Sequence, residues 1–332
     1  MNSSKVICIG EALIDSIISQ TGTKRINYLG GAPANVVCAL SKLKIKTSFI
    51  GNIGDDTFGL EFLKLFQKLE VDTTILKIDK KYKTRIVEVA IDKAGDRSFL
   101  GFSNNKHDFF ADEALDINFL KNKIEFIENL FSKSKFIITG TNLLASTQSA
   151  ESIYYLLKYA NKFKLKIVID LNWREVFWNN SASMSSMKRE DQIKKIMDFL
   201  SFADILKLSK EEAEIFFEKS NPRAISKTFP KCPDVVITDG GGPIRWFING
   251  FEGISSYTYP GKVIDTTGAG DAFLAGLVSQ MLHLKEPINN LEIEKAVKFA
   301  SVCGFLTCQG EGAIESQPVY ERVQNFLNLY DQ

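Results

Sequence analysis

The stretch Asp265–Gly276 reads DTTGAGDAFLAG and lies where an apolar helix begins. From there Phe273, Leu274, Leu277, Val278, Met281 and Leu282 recur at the spacing that puts apolar side chains on one helical face. Just upstream, Gly268-Ala269-Gly270 carries almost no side-chain bulk. The first N–H groups of a helix lack intrahelical partners, and the helix dipole favours negative charge beside them. The run therefore reads either as a glycine turn capped by Asp265 or Asp271, or as an anion hole for phosphate with the Asp271 carboxylate next to it.

Outward from this run, short β-rich segments alternate with helical ones. Strands are predicted at 6–10 (VICIG), 47–51 (TSFIG), 136–140 (FIITG), 166–172 (KIVIDLN), 203–209 (ADILKLS) and 234–240 (DVVITDG). Helices are predicted at 33–43, 57–68, 111–130, 147–163, 191–200 and 210–217, then at 269–283, 291–307 and 317–329 after the last strand. Several strands are apolar at nearly every position, as when helices cover both faces of a parallel sheet. The expected fold is α/β, a doubly wound three-layer α/β/α arrangement with a mainly parallel central sheet, in one domain over residues 1–332. Residues 12–31 and 84–102 instead alternate polar and apolar residues, which suits a small sheet with one wet face. We read 12–31 and 84–110 as one β flap, or lid, over the main sheet, and 179–191 as a surface loop.

Lys plus Arg number 41 against 40 for Asp plus Glu, a balance that argues against nucleic acid or an acidic membrane as partner. No run of about 18 apolar residues is present, and Glu11 and Asp15 interrupt the N-terminal apolar run, so a cytoplasmic location is expected. The cysteines, Cys8, Cys38, Cys232, Cys303 and Cys308, are scattered, and only His107 and His283 could join them at a zinc site. Buried free thiols are the expectation. No G-x-x-x-x-G-K-[ST] occurs, and no G-x-G-x-x-G follows the first strand, so the usual nucleotide fingerprints are missing. Gly30-Gly31-Ala32-Pro33-Ala34-Asn35 opens a helix with Pro33 in its first turn, and Thr238–Pro243 taken alone reads as a hairpin loop.

Taken in order, GGAPAN at Gly30–Asn35, the strand ending in Asp170-Leu171-Asn172, and DTTGAGD at Asp265–Asp271 resemble the PfkB (ribokinase-like) carbohydrate kinase family. The resemblance runs over essentially the whole chain. GEALID, GGAPANV, GDDTFG and DLNWREVFW look most similar to plant and bacterial fructokinases. It implies an ATP-dependent kinase that phosphorylates a primary sugar hydroxyl, fructose to fructose 6-phosphate, with Mg²⁺ required and K⁺ as an optional activator. By resemblance, Asp271 is the general base, and the N–H groups of Gly268, Ala269 and Gly270 hold the transferring phosphoryl charge. Phosphoryl transfer needs mostly positioning and charge stabilisation, which such groups supply. The sugar would be held by Asp15, Gly30, Gly31, Asn35 and Asn172. ATP would meet Arg174, Ser209, Glu212, Thr238 and Gly240, with Ala300 and Cys303 flanking the adenine. Glu212 would organise Mg²⁺ indirectly, and Asp265, Thr267 and Gly312 would surround a monovalent cation.

Three positions depart from the family pattern. Ser209 replaces the Asn of N-x-x-E, Pro243 removes an N–H donor from the nucleotide loop, and Ser103 stands where fructokinases carry an Arg. Arg97 and Lys106 are candidates to compensate for that Arg. Other readings of the same resemblance are a kinase of another sugar, a sugar acid or a nucleoside, whose base Phe99 and Phe102 would stack. A non-catalytic interaction module is a further one, against which the intact Asp271 argues. Pairing of two lid edges into a homodimer is also expected.

Overall fold

Every residue of β1 (Val6–Ile9) is buried, yet alternate side chains enter different cores. Ile7 and Ile9 join one apolar cluster, and Val6 and Cys8 join another. The same division holds further along the sheet, where Ile137, Ile167 and Ile169 point to the first core and Phe136, Ile138 and Val168 to the second. A strand exposes its two faces with period two, so this division requires helices on both sides of the sheet. The computed structural model, which describes residues 5–18, 25–91, 97–102, 109–181, 184, 186–285 and 287–330, has that arrangement.

The small sheet is built from β2 (Leu13–Ile18), β3 (Arg25–Gly30), β6 (Ile86–Ile91) and β7 (Arg97–Phe102), in the order β3-β2-β6-β7. The main sheet uses β1, β4 (Thr47–Gly54), β5 (Leu76–Asp79), β8 (Phe136–Thr139), β9 (Lys166–Asp170), β10 (Ile205–Ser209), β11 (Asp234–Thr238), β12 (Ile244–Ile248) and β13 (Phe251–Ser255). Its order is β13-β12-β11-β10-β9-β8-β1-β4-β5, parallel from β11 to β5 with an antiparallel hairpin at one edge. One face is covered by α1 (Ala32–Lys42), α2 (Thr57–Lys68), α10 (Ala269–Met281), α11 (Asn290–Thr307) and α12 (Tyr320–Tyr330). On the other face lie α3 (Ile117–Asn122), α4 (Ile124–Phe131), α5 (Thr147–Lys162), α6 (Glu175–Asn179), α7 (Arg189–Leu200), α8 (Lys210–Phe217) and α9 (Pro222–Ser226).

The expected fold class is observed, with three local differences. The helix predicted over 111–130 is broken into a 3₁₀ turn at Ala111–Ala114, then α3 and α4. Asp116 breaks it by capping: its carboxylate accepts the Asn118 N–H at 2.9 Å and so starts a new helix. Strand β5 and the β12–β13 hairpin were not foreseen. β12 alternates buried and half-buried residues, and Gly253 lies opposite Trp246, where a Cβ would sit 2.2 Å from the indole. Of the five thiols expected to be buried, Cys232 is exposed.

The small sheet is fastened to the body at Arg85. Its carbonyl accepts the Ile14 N–H at 2.9 Å, Nε donates to Asp112 at 2.9 Å, and Nη2 lies 3.1 Å from Glu113. The guanidinium stands 4.6–4.8 Å from the ring centroids of Phe102, Phe110 and Phe177. At 3% exposure, little solvent could replace those contacts. Replacing Arg85 with Ala strands two buried carboxylates, so Arg85→Ala is expected to lose about 3–5 kcal/mol of stability in urea unfolding.

Candidate active site

At the carboxyl edge of the main sheet, α10 starts from Gly268, whose φ of 75° lies in the left-handed region. A Cβ there would also sit 2.7 Å from the Ala313 Cβ, so glycine is required twice over. Ala269 turns its N–H back onto the Thr266 carbonyl at 3.2 Å, so one of the three expected phosphoryl donors is already engaged. Gly270 keeps the approach open for a side chain from the sheet: a Cβ at this position would lie 3.0 Å from Lys207 Nζ.

In the first turn of α10, Asp271 meets α1. Asn35 Nδ2 donates to Asp271 Oδ2 at 2.8 Å, joining residues 236 positions apart. Asn35 is placed by the turn before α1, where its N–H bonds the Gly31 carbonyl at 2.8 Å. Gly31 has a φ of 98°, and a Cβ on it would stand 2.6 Å from the Glu11 carbonyl oxygen. At Gly30 a Cβ would meet Asp15 Oδ2 at 2.5 Å, so the two glycines let Asp15 and Asn35 close on the same place. Loss of hydration raises the Asp271 pKa, against Lys207, the Asn35 bond and Arg174, while Asp15 adds to the rise.

The structure adds a pair that the sequence reading passed over. Lys207 and Asp170 are register partners on β10 and β9, and Nζ lies 2.8 Å from Asp170 Oδ2 with both residues buried. Burial draws the Lys207 ammonium down, but Asp170, Glu212 and Asp271 outweigh it and hold its pKa above the usual value. Asp170 Oδ1 is buried with no partner. A lysine inside an otherwise apolar strand, ILKLS, was the available signal, because a buried charge has to be paired.

Ser209 and Glu212 form a capping box on α8, with Glu212 N–H donating to Ser209 Oγ at 3.1 Å and Ser209 N–H to Glu212 Oε2 at 2.8 Å. Glu212 Oε1 accepts the Trp173 N–H at 2.8 Å. Oε1 thus organises the loop after β9 and Oε2 the N-terminus of α8, and S-x-x-E is itself the sequence signature of that cap. Within the loop Asn172 has a φ of 39°, and exposed Arg174 precedes α6. Thr238 ends β11, and Gly240, with a φ of 52°, lies in the exposed β11–β12 hairpin turn. Asp265 ties its neighbours together, Oδ1 accepting from Thr267 N–H at 2.9 Å and Oδ2 from Gly312 N–H at 3.2 Å. Among the described residues no group of three or more His, Cys, Asp or Glu forms a metal cluster.

Some expected residues are elsewhere. Ala300 and Cys303 are buried in the α10–α11 contact, where a Cβ at Gly276 would lie 2.8 Å from Ala300 Cα and 2.9 Å from Cys303 Sγ. Both are enclosed by close helix packing. Phe102 is packed against Phe99, Phe110 and Phe177 and faces Arg85, so its ring is committed to the base of the small sheet. Ser103, Lys106 and the Arg97 side chain lie outside the described residues.

Glu11, which interrupts the N-terminal apolar run and belongs to the GEALID stretch, also lies here. It is 2% exposed, and its Oε1 accepts from Asn142 Nδ2 at 2.9 Å. Burial pushes its carboxyl from 4.5 up to about 7; the Asn142 bond opposes this, and Asp112 and Asp271 reinforce it. The native state therefore keeps a proton that the unfolded chain releases, and this contribution to stability is lost as pH rises from 4.5 to about 7. Glu11→Gln should flatten that decline by on the order of 3 kcal/mol, read from urea unfolding on either side of the window.

Known proteins share this framework. The family described as pfkB family carbohydrate kinase matches residues 3–319. A curated relative, "Probable fructokinase-6, chloroplastic" of Arabidopsis thaliana, is 28% identical over 337 residues, covering 98% of this chain and 83% of its own. The structure of fructokinase with bound ATP from Xylella fastidiosa superposes with a TM-score of 0.85 at 24% identity, covering 100% of both chains. A fructokinase double mutant from Vibrio cholerae O395, in fructose, ADP and potassium ion bound form, superposes with a TM-score of 0.80 at 26% identity and 98% coverage of both.

Proposed function

This chain belongs to the pfkB family of carbohydrate kinases, and from that premise we propose that it transfers the terminal phosphoryl group of ATP to a primary hydroxyl of fructose, giving fructose 6-phosphate. Family membership makes it a sugar phosphotransferase; the fructokinase names of its relatives support the particular sugar. The observation that carries the reading is the Asn35–Asp271 hydrogen bond at the mouth of the Gly268–Gly270 turn. It fixes one carboxylate where a helix N-terminus and an ammonium meet.

In this reading Asp271 accepts the proton of the attacking hydroxyl as its oxygen bonds to phosphorus and the bond to the ADP oxygen breaks. The backbone N–H groups of Gly268 and Gly270, with Lys207 beside them, offset the charge on the transferring group, while that of Ala269 holds the turn through Thr266. Asp15, Gly30, Gly31, Asn35 and Asn172 hold the sugar. Arg174, Thr238 and Gly240 face the nucleotide, while Ser209 and Glu212 hold that loop in shape. The unpartnered Asp170 Oδ1, with Glu212 nearby, suits Mg²⁺, which would neutralise charge on the ATP phosphates. Asp265, Thr267 and Gly312, already drawn together, are the proposed monovalent-cation loops, and the potassium-bound relative supports that assignment. The whole chain acts as one kinase domain with the small sheet as lid. Lid edges pair into a homodimer, and the enzyme works in the cytoplasm; among the described residues no helix is long and apolar enough to cross a membrane.

ADP release should be measured over fructose, glucose, ribose, adenosine, 2-keto-3-deoxygluconate and fructose 6-phosphate. Fructose is expected to turn over, and Asp271→Asn to lower the rate by about 10²–10⁴-fold while ATP still binds. Absence of turnover on every sugar, by folded protein that binds ATP, would overturn the reading. Because the base must be ionised and burial raises its pKa, kcat/KM should fall with decreasing pH from a higher value than a free aspartate would set.

A further inference from the structure

At the amino edge of the main sheet, opposite the edge that carries the candidate site, lies a concave recess of about 750 Å³. Its charged and titratable lining among the described residues is entirely basic: Lys5, Lys44, Lys46, Lys135 and His283. Part of that charge has an ordinary cause. Helix C-termini favour cations, which accounts for Lys44 just after α1 and His283 just after α10. Lys44 is also paired with Glu321.

Lys5, Lys46 and Lys135 have no such cause. They are exposed and stand one residue before β1, β4 and β8, three neighbouring strands in the order β4-β1-β8. The backbone sets them side by side: Lys5 N–H donates to the Lys46 carbonyl at 2.8 Å, and Lys135 N–H to the Lys5 carbonyl at 2.9 Å. Neighbouring strands are about 4.8 Å apart, and like charges at adjacent cross-strand positions oppose one another. Among the described residues neither Lys5 nor Lys135 has a side-chain hydrogen bond or ion pair, and no Asp or Glu lines the recess. A row of like charge inside a concavity draws an anion from outside.

We propose that this recess is a second binding site, for a small ligand carrying two or more phosphate charges, held along the Lys46–Lys5–Lys135 row. It stands apart from the kinase reading, because the recess and the candidate site lie at opposite edges of the sheet. Size and charge both select the ligand. The volume is that of a small-molecule pocket, and lysine ammonium groups bind phosphate as point charges. Leu43, Leu282 and Tyr320 give the wall apolar surface for a carbon body, so an organic bisphosphate should bind more tightly than an inorganic polyphosphate. A ligand held there would touch the far ends of α1 and α10, the helices whose opening turns carry Asn35 and Asp271.

Fructose 1,6-bisphosphate and inorganic tripolyphosphate are the probes, titrated calorimetrically into the whole chain with and without saturating ADP. One equivalent should bind whether or not ADP is present. Lys5→Gln and Lys135→Gln should each weaken binding about 10–100-fold, as for loss of a charged hydrogen bond, while Asp271→Asn leaves it unchanged. Either ranking of the two probes supports the site and identifies which source of phosphate it takes. Urea unfolding without ligand should give both lysine variants at least wild-type stability, because a like charge has been removed. A clear loss of stability there would mark the lysines as structural and overturn the inference. Binding that ADP or Asp271→Asn abolishes, and that the lysine variants keep, would place the phosphates in the catalytic cleft and overturn it as well. So would the absence of saturable binding of both probes at millimolar concentration.

Discussion

The site depends on two helix N-termini being brought side by side and joined by one hydrogen bond, Asn35 to Asp271. Each helix begins from a glycine with positive φ, Gly31 before α1 and Gly268 before α10, and each glycine also sits too close to a neighbour to carry a Cβ. These glycines work as a pair. The first lets Asn35 reach across, and the second turns the first donors of α10 toward the same space. A carboxylate in the first turn of a helix is favoured by the dipole, yet burial raises its pKa. Lys207, the Asn35 amide and Arg174 counter part of that rise, so the interaction that joins the two helices also favours the ionised form of Asp271, the proposed base.

Charge in the cleft is arranged by end. Toward the phosphoryl side stand Lys207, the α10 N-terminus and exposed Arg174; toward the small sheet stand Asp15, Glu11 and Asp112, with the Arg85 charge already committed. Asp170 sits at the boundary, giving one oxygen to Lys207 and keeping the other without a partner. On the proposed reading, such a gradient would separate an anionic phosphoryl donor from an uncharged sugar without any large net charge, consistent with the near balance of 41 basic and 40 acidic side chains.

The central strands were legible because both faces of a parallel sheet are buried, so their sequences are apolar almost throughout. Strand β12, wet on one face, and the four-residue β5 carry too little of that signal. Helix periodicity ran straight through Asp116 because an aspartate on a helix surface and one at a cap look alike until its carboxylate is seen to accept the Asn118 N–H. Within the site, backbone chemistry left DTTGAGD open between a glycine turn and an anion hole and read GGAPAN as a turn opening a helix; the family resemblance joined the two. The Lys207–Asp170 pair was readable in principle, since a lysine in a buried strand needs an anion on the next one. Ser209 read as a departure from a family motif that Glu212 keeps, although S-x-x-E already specifies the cap the two form. Glu11 had no signal beyond its place in GEALID, because nothing local distinguishes a glutamate that follows a strand into solvent from one that follows it into the protein. Ala300 and Cys303 show the converse, small residues whose position is set by Gly276 on the facing helix.

The small sheet is tied to this chemistry by packing as well as by chain continuity. Strand β2 carries Asp15, and β3 runs directly through Gly30 and Gly31 into α1, so Asn35 is five residues from the sheet's last strand position. Tyr28 on β3 packs on Gly312, where a Cβ would lie 2.6 Å from the ring, and its hydroxyl donates to Glu311 at 3.0 Å. The next residue, Ala313, is the one that leaves room only for glycine at position 268. Displacing β3 would therefore strain two contacts, through Gly31 toward Asn35, the partner of Asp271, and through Gly312 and Ala313 toward the Gly268 turn. Close-packed contacts of this kind do not deform gradually. On the proposed reading, in which the small sheet is a lid that contacts the sugar and Asp271 is the base, contacts made on that sheet would reach both Asn35 and the Gly268 turn, coupling occupation of the sugar site to alignment of the base.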